Sequence, residues 1–301
     1  MAEERDVMNS RQGEDEGRRS RFDSLGARLA VAGAGIPLVV GAAWLGGWWL
    51  FALTLLLGLL AYIEFLRISG GSIRQPEWPW GLVGVPLILL YFQMPGLSLA
   101  FLAIWLLIFL SLLLLAVDRS QLISSAMVIL GLAYIPTLLG QMLLIRGWPG
   151  GPGPGELLSG RGPGGQGFWV LLWAMALVWI YDTGAYFAGL LWGRHRLAPS
   201  ISPNKSIEGL AGGAVAAITL AVVLARWWRL PWGPGHSLAL ALLIVVCGTL
   251  GDLVESKLKR LAGVKDSGNL LPGHGGVLDR FDSLLFVLPV IYWYIRSMFT
   301  P

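Results

Sequence analysis

The sequence predicts an all-α integral membrane protein, a polytopic bundle of about nine transmembrane helices. Three observations carry that prediction. Hydrophobic residues make up 55% of the 301 residues and charged residues only 13%, against about a quarter charged in a soluble domain. Mean hydropathy is +0.66. Apolar runs close to the ~20 residues that cross a bilayer as a helix recur along the chain. So little charge cannot coat a water-facing globule, so lipid must be the solvent for most of the molecule.

Residues 1–24 open the chain with five Arg against seven Asp or Glu. They hold no apolar core of the signal-peptide kind and are expected to form a disordered cytoplasmic tail. Residues 25–301 read as a single polytopic membrane domain. Its expected spans are 27–45, 47–66, 79–93, 97–117, 122–145, 168–191, 208–228, 238–256 and 281–299. Tryptophans near the ends of several runs, such as Trp48, Trp78, Trp148, Trp192 and Trp232, suit an interfacial aromatic belt. Residues 147–167 hold ten Gly and four Pro and read as a flexible outer loop.

Lys and Arg set the orientation. With the N-terminus inside, cytoplasmic loops receive Arg67, Arg74, Arg119, Arg194, Arg196, Lys205, Lys257, Lys259, Arg260, Lys265 and Arg280, and far fewer basic residues fall outside. The expected location is the cell (inner) membrane, with the polar loops of the C-terminal half on the cytoplasmic face. The formal net charge of +4 gives no case for a nucleic-acid partner. The single cysteine, Cys247, lies in an apolar run and excludes an internal disulfide. The histidines, His195, His236 and His274, are too scattered for a zinc site.

Ionisable groups inside spans are costly and usually functional, and in this reading they gather in the second half, about 168–299. In the sixth span Asp182, Tyr186 and Gly189 share one helical face. The loop after it offers Lys205 and two arginines beside Ser202, Asn204 and Ser206, a composition suited to phosphate oxygens or to an ordinary basic loop. Ser206 can cap the next helix, with Glu208 in its first turn. In the eighth span Asp252, Ser256 and Lys259 recur at i, i+4 and i+7, with Glu255 and Arg260 close by. A glycine-rich turn with Lys265, Asp266 and His274 leads to Asp279, Arg280 and Asp282. Asp252, Asp279 and Asp282 could together make a hard-oxygen site for Mg²⁺, which would relieve their mutual repulsion and leave positions for phosphate. The Pro272-Gly273-His274-Gly275-Gly276 backbone is expected to bring N–H groups close to a phosphate. His274 reads equally well as a structural or a catalytic histidine. These parts fit phosphoryl or nucleotidyl transfer, which rests on positioning and charge neutralisation.

Ser256 through Asp282, read as S-x2-K-R-x4-K-D-x-G-x2-L-P-G-H-G-G-x2-D-R-x-D, resembles the signature of the phosphatidate cytidylyltransferases, also called CDP-diacylglycerol synthases. Asp182–Tyr186 and Ser202–Gly209 resemble the family's other polar segment, so the likeness is strongest over about 182–290. The resemblance implies the reaction of CTP with phosphatidate to give CDP-diacylglycerol and pyrophosphate, dependent on Mg²⁺, with a monovalent cation as a second candidate. It implies a homodimer surrounded by membrane lipid, with a polar cavity open to the cytoplasmic side. Asp252, Asp279 and Asp282 would then be metal ligands, and these three with Lys259 the catalytic residues. Arg260, Lys265 and Arg280 would contact phosphate or CTP. Asp182, Ser202, Asn204 and Lys205 would join the same cavity, with Ser256 and His274 as further substrate-binding residues. Two alternatives remain at this point: a CTP-dependent polyprenol or diacylglycerol kinase, and a transporter using buried carboxylates as a proton relay.

Overall fold

A chain with few charges can satisfy its backbone in lipid only by closing hydrogen bonds within each segment, and helices do this. The computed structural model describes residues 31–70, 77–112, 119–148, 165–270 and 275–299. Ten helices and a hairpin follow in order: α1 (Val31–Leu45), α2 (Gly47–Ile68), α3 (Trp78–Gln93), α4 (Pro95–Leu112), α5 (Arg119–Leu139), α6 (Gln141–Arg146), α7 (Gln166–Trp192), β1 (Arg196–Ala198), β2 (Ser202–Ser206), α8 (Ile207–Trp227), α9 (Pro234–Leu261) and α10 (Leu278–Phe299). The tail, most of the Gly/Pro-rich loop, and Leu271, Pro272, Gly273 and His274 lie outside the described residues.

Among the described residues a helix lies within each segment expected to span. Among the described residues six are long and apolar enough to cross a membrane: α2, α5 continued through α6, α7, α8, α9 and α10. Three apolar helices are shorter: α1, α3 and the stretch Leu99–Ser111 of α4. The hairpin departs from an all-helical expectation. Pro199 and Pro203 lack the N–H a helix would need, and the chain turns back instead, pairing Arg196 with Ser206 and Ala198 with Ser202.

Small residues set the tightest helix contact. Gly209, Gly213, Ala217, Ala221 and Ala225 recur every fourth residue and form the buried face of α8. The backbone of α8 there meets Gly184 and Ala188 of α7, and Trp173 Nε1 donates to the Ala221 carbonyl across the same seam at 3.0 Å. A second close approach joins α9 to α10. A Cβ on Gly251 would strike the carbonyl oxygen of Asp282. Glycine at 251 therefore lets the two backbones touch, and Asp252, one residue on, is delivered beside Asp282.

At the opposite end of α7, Arg146 is buried and donates to the carbonyls of Ala43 at 2.6 Å and Trp44 at 3.1 Å. Those are orphan acceptors at the C-terminus of α1, where a cation also meets the negative end of the helix dipole.

Candidate active site

The C-terminal ends of α7 and α9, the hairpin, the start of α8 and the start of α10 surround a cavity of about 800 Å³. Each element arrives for a local reason. Ser206 caps α8 as expected, its Oγ accepting from Gly209 N at 3.0 Å. Glu208, in the first turn, accepts from the backbone N–H groups of Arg194 and His195 and meets His195 Nδ1 at 2.6 Å, which closes the base of the hairpin. Tyr181 Oη and Thr249 Oγ1 share a hydrogen bond of 2.6 Å that fixes α7 against α9.

Nine of the residues expected to bind substrate or metal or to act in catalysis line this cavity: Asp182, Ser202, Asn204, Lys205, Asp252, Lys259, Asp279, Arg280 and Asp282. They come from two separate segments, 182–205 and 252–282, as expected of one shared site. Tyr186 and Gly189, on the Asp182 face of α7, line it as well. Apolar Leu190, Leu197 and Leu210 complete the wall. Asp182, Asp252 and Asp282 act on one another electrostatically, and Lys205 offsets part of that repulsion.

The hydrogen bonds sort the carboxylates into two groups. Asp252 is held by Ser256 Oγ at 3.1 Å and by an ion pair with Lys205. Asp282 accepts from its neighbour Ser283 N at 2.6 Å. Asp279 is engaged far more heavily. Its Oδ1 pairs with Lys259 Nζ at 2.5 Å. Its Oδ2 accepts from Ser267 N at 2.9 Å, Ser267 Oγ at 3.0 Å and Gly276 N at 2.8 Å. Lys259 spends a second donor on Glu255 at 2.9 Å. Among the described residues no three His, Cys, Asp or Glu side chains are grouped to hold a metal ion. The expected trio of Asp252, Asp279 and Asp282 is thus not brought together as one cage, because Asp279 is turned toward Lys259 and the loop backbone.

Three further site candidates, Ser256, Arg260 and Lys265, lie outside the cavity lining. Arg260 does not line the cavity; its guanidinium donates to the carbonyls of Ile201 at 3.4 Å and Val264 at 3.2 Å, tying the hairpin to the end of α9. Lys265 is exposed outside the cavity lining, and His274 lies outside the described residues. The glycine-rich backbone was expected to offer its N–H groups to a phosphate. Of that stretch Pro272, Gly273 and His274 lie outside the described residues, while Gly276 N donates to Asp279; just beyond it Val277 N and Leu278 N donate to Glu64 at 2.9 and 2.8 Å.

Glu64 is the residue that sequence reasoning passed over. It lies in α2, in the half of the chain read as merely hydrophobic, and only 4% of it is exposed. The signal was present: it is the sole acidic residue of its apolar run, and such groups are rarely idle.

The profile of the cytidylyltransferase family matches residues 26–298. The chain belongs to the cytidylyltransferase family. Among curated relatives, the phosphatidate cytidylyltransferase of Bacillus subtilis (strain 168) is 51% identical over 127 residues, 42% of this chain and 47% of the relative. Those of Staphylococcus epidermidis (strain ATCC 12228 / FDA PCI 1200) and Staphylococcus aureus (strain COL) are 49% and 47% identical over 126 residues, 42% of this chain and 48% of each relative. The chain spans about half the length of the curated relatives it matches. Family membership covers both halves of the molecule, and so includes α2 and Glu64 as well as the cavity.

Proposed function

We propose that the protein transfers a cytidylyl group from CTP to phosphatidate, giving CDP-diacylglycerol and pyrophosphate. The observation that carries this reading is the cavity itself: carboxylates and cations from both polar segments face one space, bordered by Leu190, Leu197 and Leu210. That is the chemistry needed by a substrate with a phosphate head and an apolar body. The family and the names of the matching relatives point the same way.

In this mechanism a phosphatidate oxygen attacks the α-phosphorus of CTP. A new P–O bond forms in line with the α–β bond that breaks, and pyrophosphate leaves with the electron pair. The phosphate is already largely ionised at neutral pH, so no strong general base is needed. Lys205 and Arg280 neutralise phosphate charge, and Lys259 offers its third donor after serving Glu255 and Asp279. Mg²⁺ suits the hard-oxygen donor set, and it characteristically uses one or two carboxylates plus substrate phosphates rather than a full protein cage. Asp252 and Asp282 would hold it, with Asp182 nearby. When bound it supplies charge stabilisation to the phosphate oxygens.

The same reading has nine segments crossing the cell membrane with the cavity facing the cytoplasm, where CTP is, and with the protein as a homodimer. The bias of Lys and Arg supports that orientation. Purified protein supplied with CTP, phosphatidate and Mg²⁺ should release pyrophosphate and form CDP-lipid, and a chelator should stop both. Release of CDP instead would make it a lipid kinase. Lipid or ion flux in liposomes without CTP would make it a transporter.

A further inference from the structure

A carboxylate buried near the end of a membrane helix needs a reason, and Glu64 has no cation paired with it among the described residues. Its partners are all in the glycine-rich segment more than 200 residues away. Oε1 accepts from Val277 N at 2.9 Å. Oε2 accepts from Leu278 N at 2.8 Å and contacts Ser267 Oγ at 3.0 Å. Val277 and Leu278 stand at the start of α10, where backbone donors have no partner within the helix. Glu64 therefore caps α10 from a different part of the chain, with its charge at the positive end of the helix dipole.

The loop is shaped around this carboxylate. A Cβ on Gly268 would lie 2.8 Å from Glu64 Oε1, and one on Gly276 would collide with both Ser267 Oγ and Glu64 Oε2. Gly275 takes φ +77°, and a Cβ there would lie 2.6 Å from Asp279 Oδ2. These glycines make room for two carboxylates packed into one turn. Between the two sits the Ser267 hydroxyl, 3.0 Å from Glu64 Oε2 and 3.0 Å from Asp279 Oδ2. Asp279 in turn holds Lys259. An unbroken line of contacts thus runs from α2 to the cation at the cavity wall.

We propose that Glu64 is a positioning residue: by holding Ser267 and the N-terminus of α10 it sets the Asp279–Lys259 pair in the cavity. The N-terminal half then contributes to the site through a buried contact rather than through a side chain that lines it. This deepens the cytidylyl-transfer reading and rests on it for the kinetic test alone.

Glu64→Gln keeps one acceptor oxygen but turns an NH₂ donor toward a backbone N–H and the serine. Gly268→Ala pushes on the intact carboxylate with a methyl group, and so displaces it without changing its charge. Both variants, in the full-length detergent-purified protein, should lower kcat by roughly ten-fold to a hundred-fold while KM for CTP and phosphatidate stays within about two-fold. Trypsin cleavage after the exposed Lys265 should accelerate by about ten-fold, since cleavage tracks opening of the loop, while cleavage in the hairpin at Arg194 and Arg196 is unchanged. A simple structural cap would lower Tm alone, leaving kcat of the folded protein and cleavage at Lys265 at wild-type values, and that result overturns the proposal. The proteolysis arm holds whether or not the wild-type protein makes CDP-lipid, so failure of the functional reading and failure of the positioning role give different results.

Discussion

Replacing Asp279 with Asn changes no shape and removes one charge. The carboxylate now receives Lys259 on Oδ1 and three loop donors on Oδ2. An asparagine has one carbonyl oxygen and one NH₂. In its better orientation the oxygen serves Ser267 and Gly276, and the NH₂ faces the ammonium of Lys259, donor against donor. In the other orientation Lys259 is served and two backbone N–H groups lose their acceptor. The first costs less, and it forfeits at least one hydrogen bond between charged groups, worth about 1.5–3 kcal/mol. Asp279 and Lys259 are only 6% and 12% exposed, so water does little to screen that loss. If the paired geometry is the active one, turnover should fall by roughly 10-fold to 150-fold, with a measurable drop in Tm. The assay is CDP-diacylglycerol formation in detergent micelles, with thermal unfolding of the same preparation. Turnover within two-fold of wild type would refute both the catalytic assignment of Asp279 and the argument from its hydrogen bonds.

Three other outcomes follow from named contacts. Lys205→Met leaves Asp252 with Ser256 alone; KM for CTP should rise by about ten-fold or more with little change in Tm, as expected for a cation that serves a phosphate, and steady-state kinetics reads this directly. Gly251→Ala places a methyl on the Asp282 carbonyl and forces α9 from α10; a displacement near 1 Å should cost about a hundred-fold in kcat, measured at saturating substrates. Arg146→Ala removes two hydrogen bonds that close α1 at the far end of the bundle; it should cost about 2–4 kcal/mol of stability and leave kcat of the folded protein unchanged, as denaturant titration and the product assay would report.

Much of the site was legible because its parts are local. Asp252, Ser256 and Lys259 share a helical face by spacing alone, and the cap at Ser206 followed from residue type and position. Asp182 was marked by its cost in an apolar run. What spacing could not convey was which donors each group would meet. Arg260 had the charge for a phosphate, yet it lies where two backbone carbonyls take it. The glycines of the signature looked like a cradle for a ligand, but those among the described residues, Gly268, Gly275 and Gly276, lie against the protein's own carboxylates.

By itself the sequence determined the solvent and the element type: an excess of apolar residues with few charges commits the chain to helices in lipid, and the charges it keeps mark where chemistry can occur. The tertiary structure alone decided how those charges pair. Glu64 and Ser267 are 203 residues apart, and no periodicity links them. Only the packing of α2 against the turn before α10 brings that carboxylate to the loop, and only the contact of α9 with α10 at Gly251 brings Asp252 beside Asp282. Both depend on distances between backbones, which a single sequence does not encode in any local pattern.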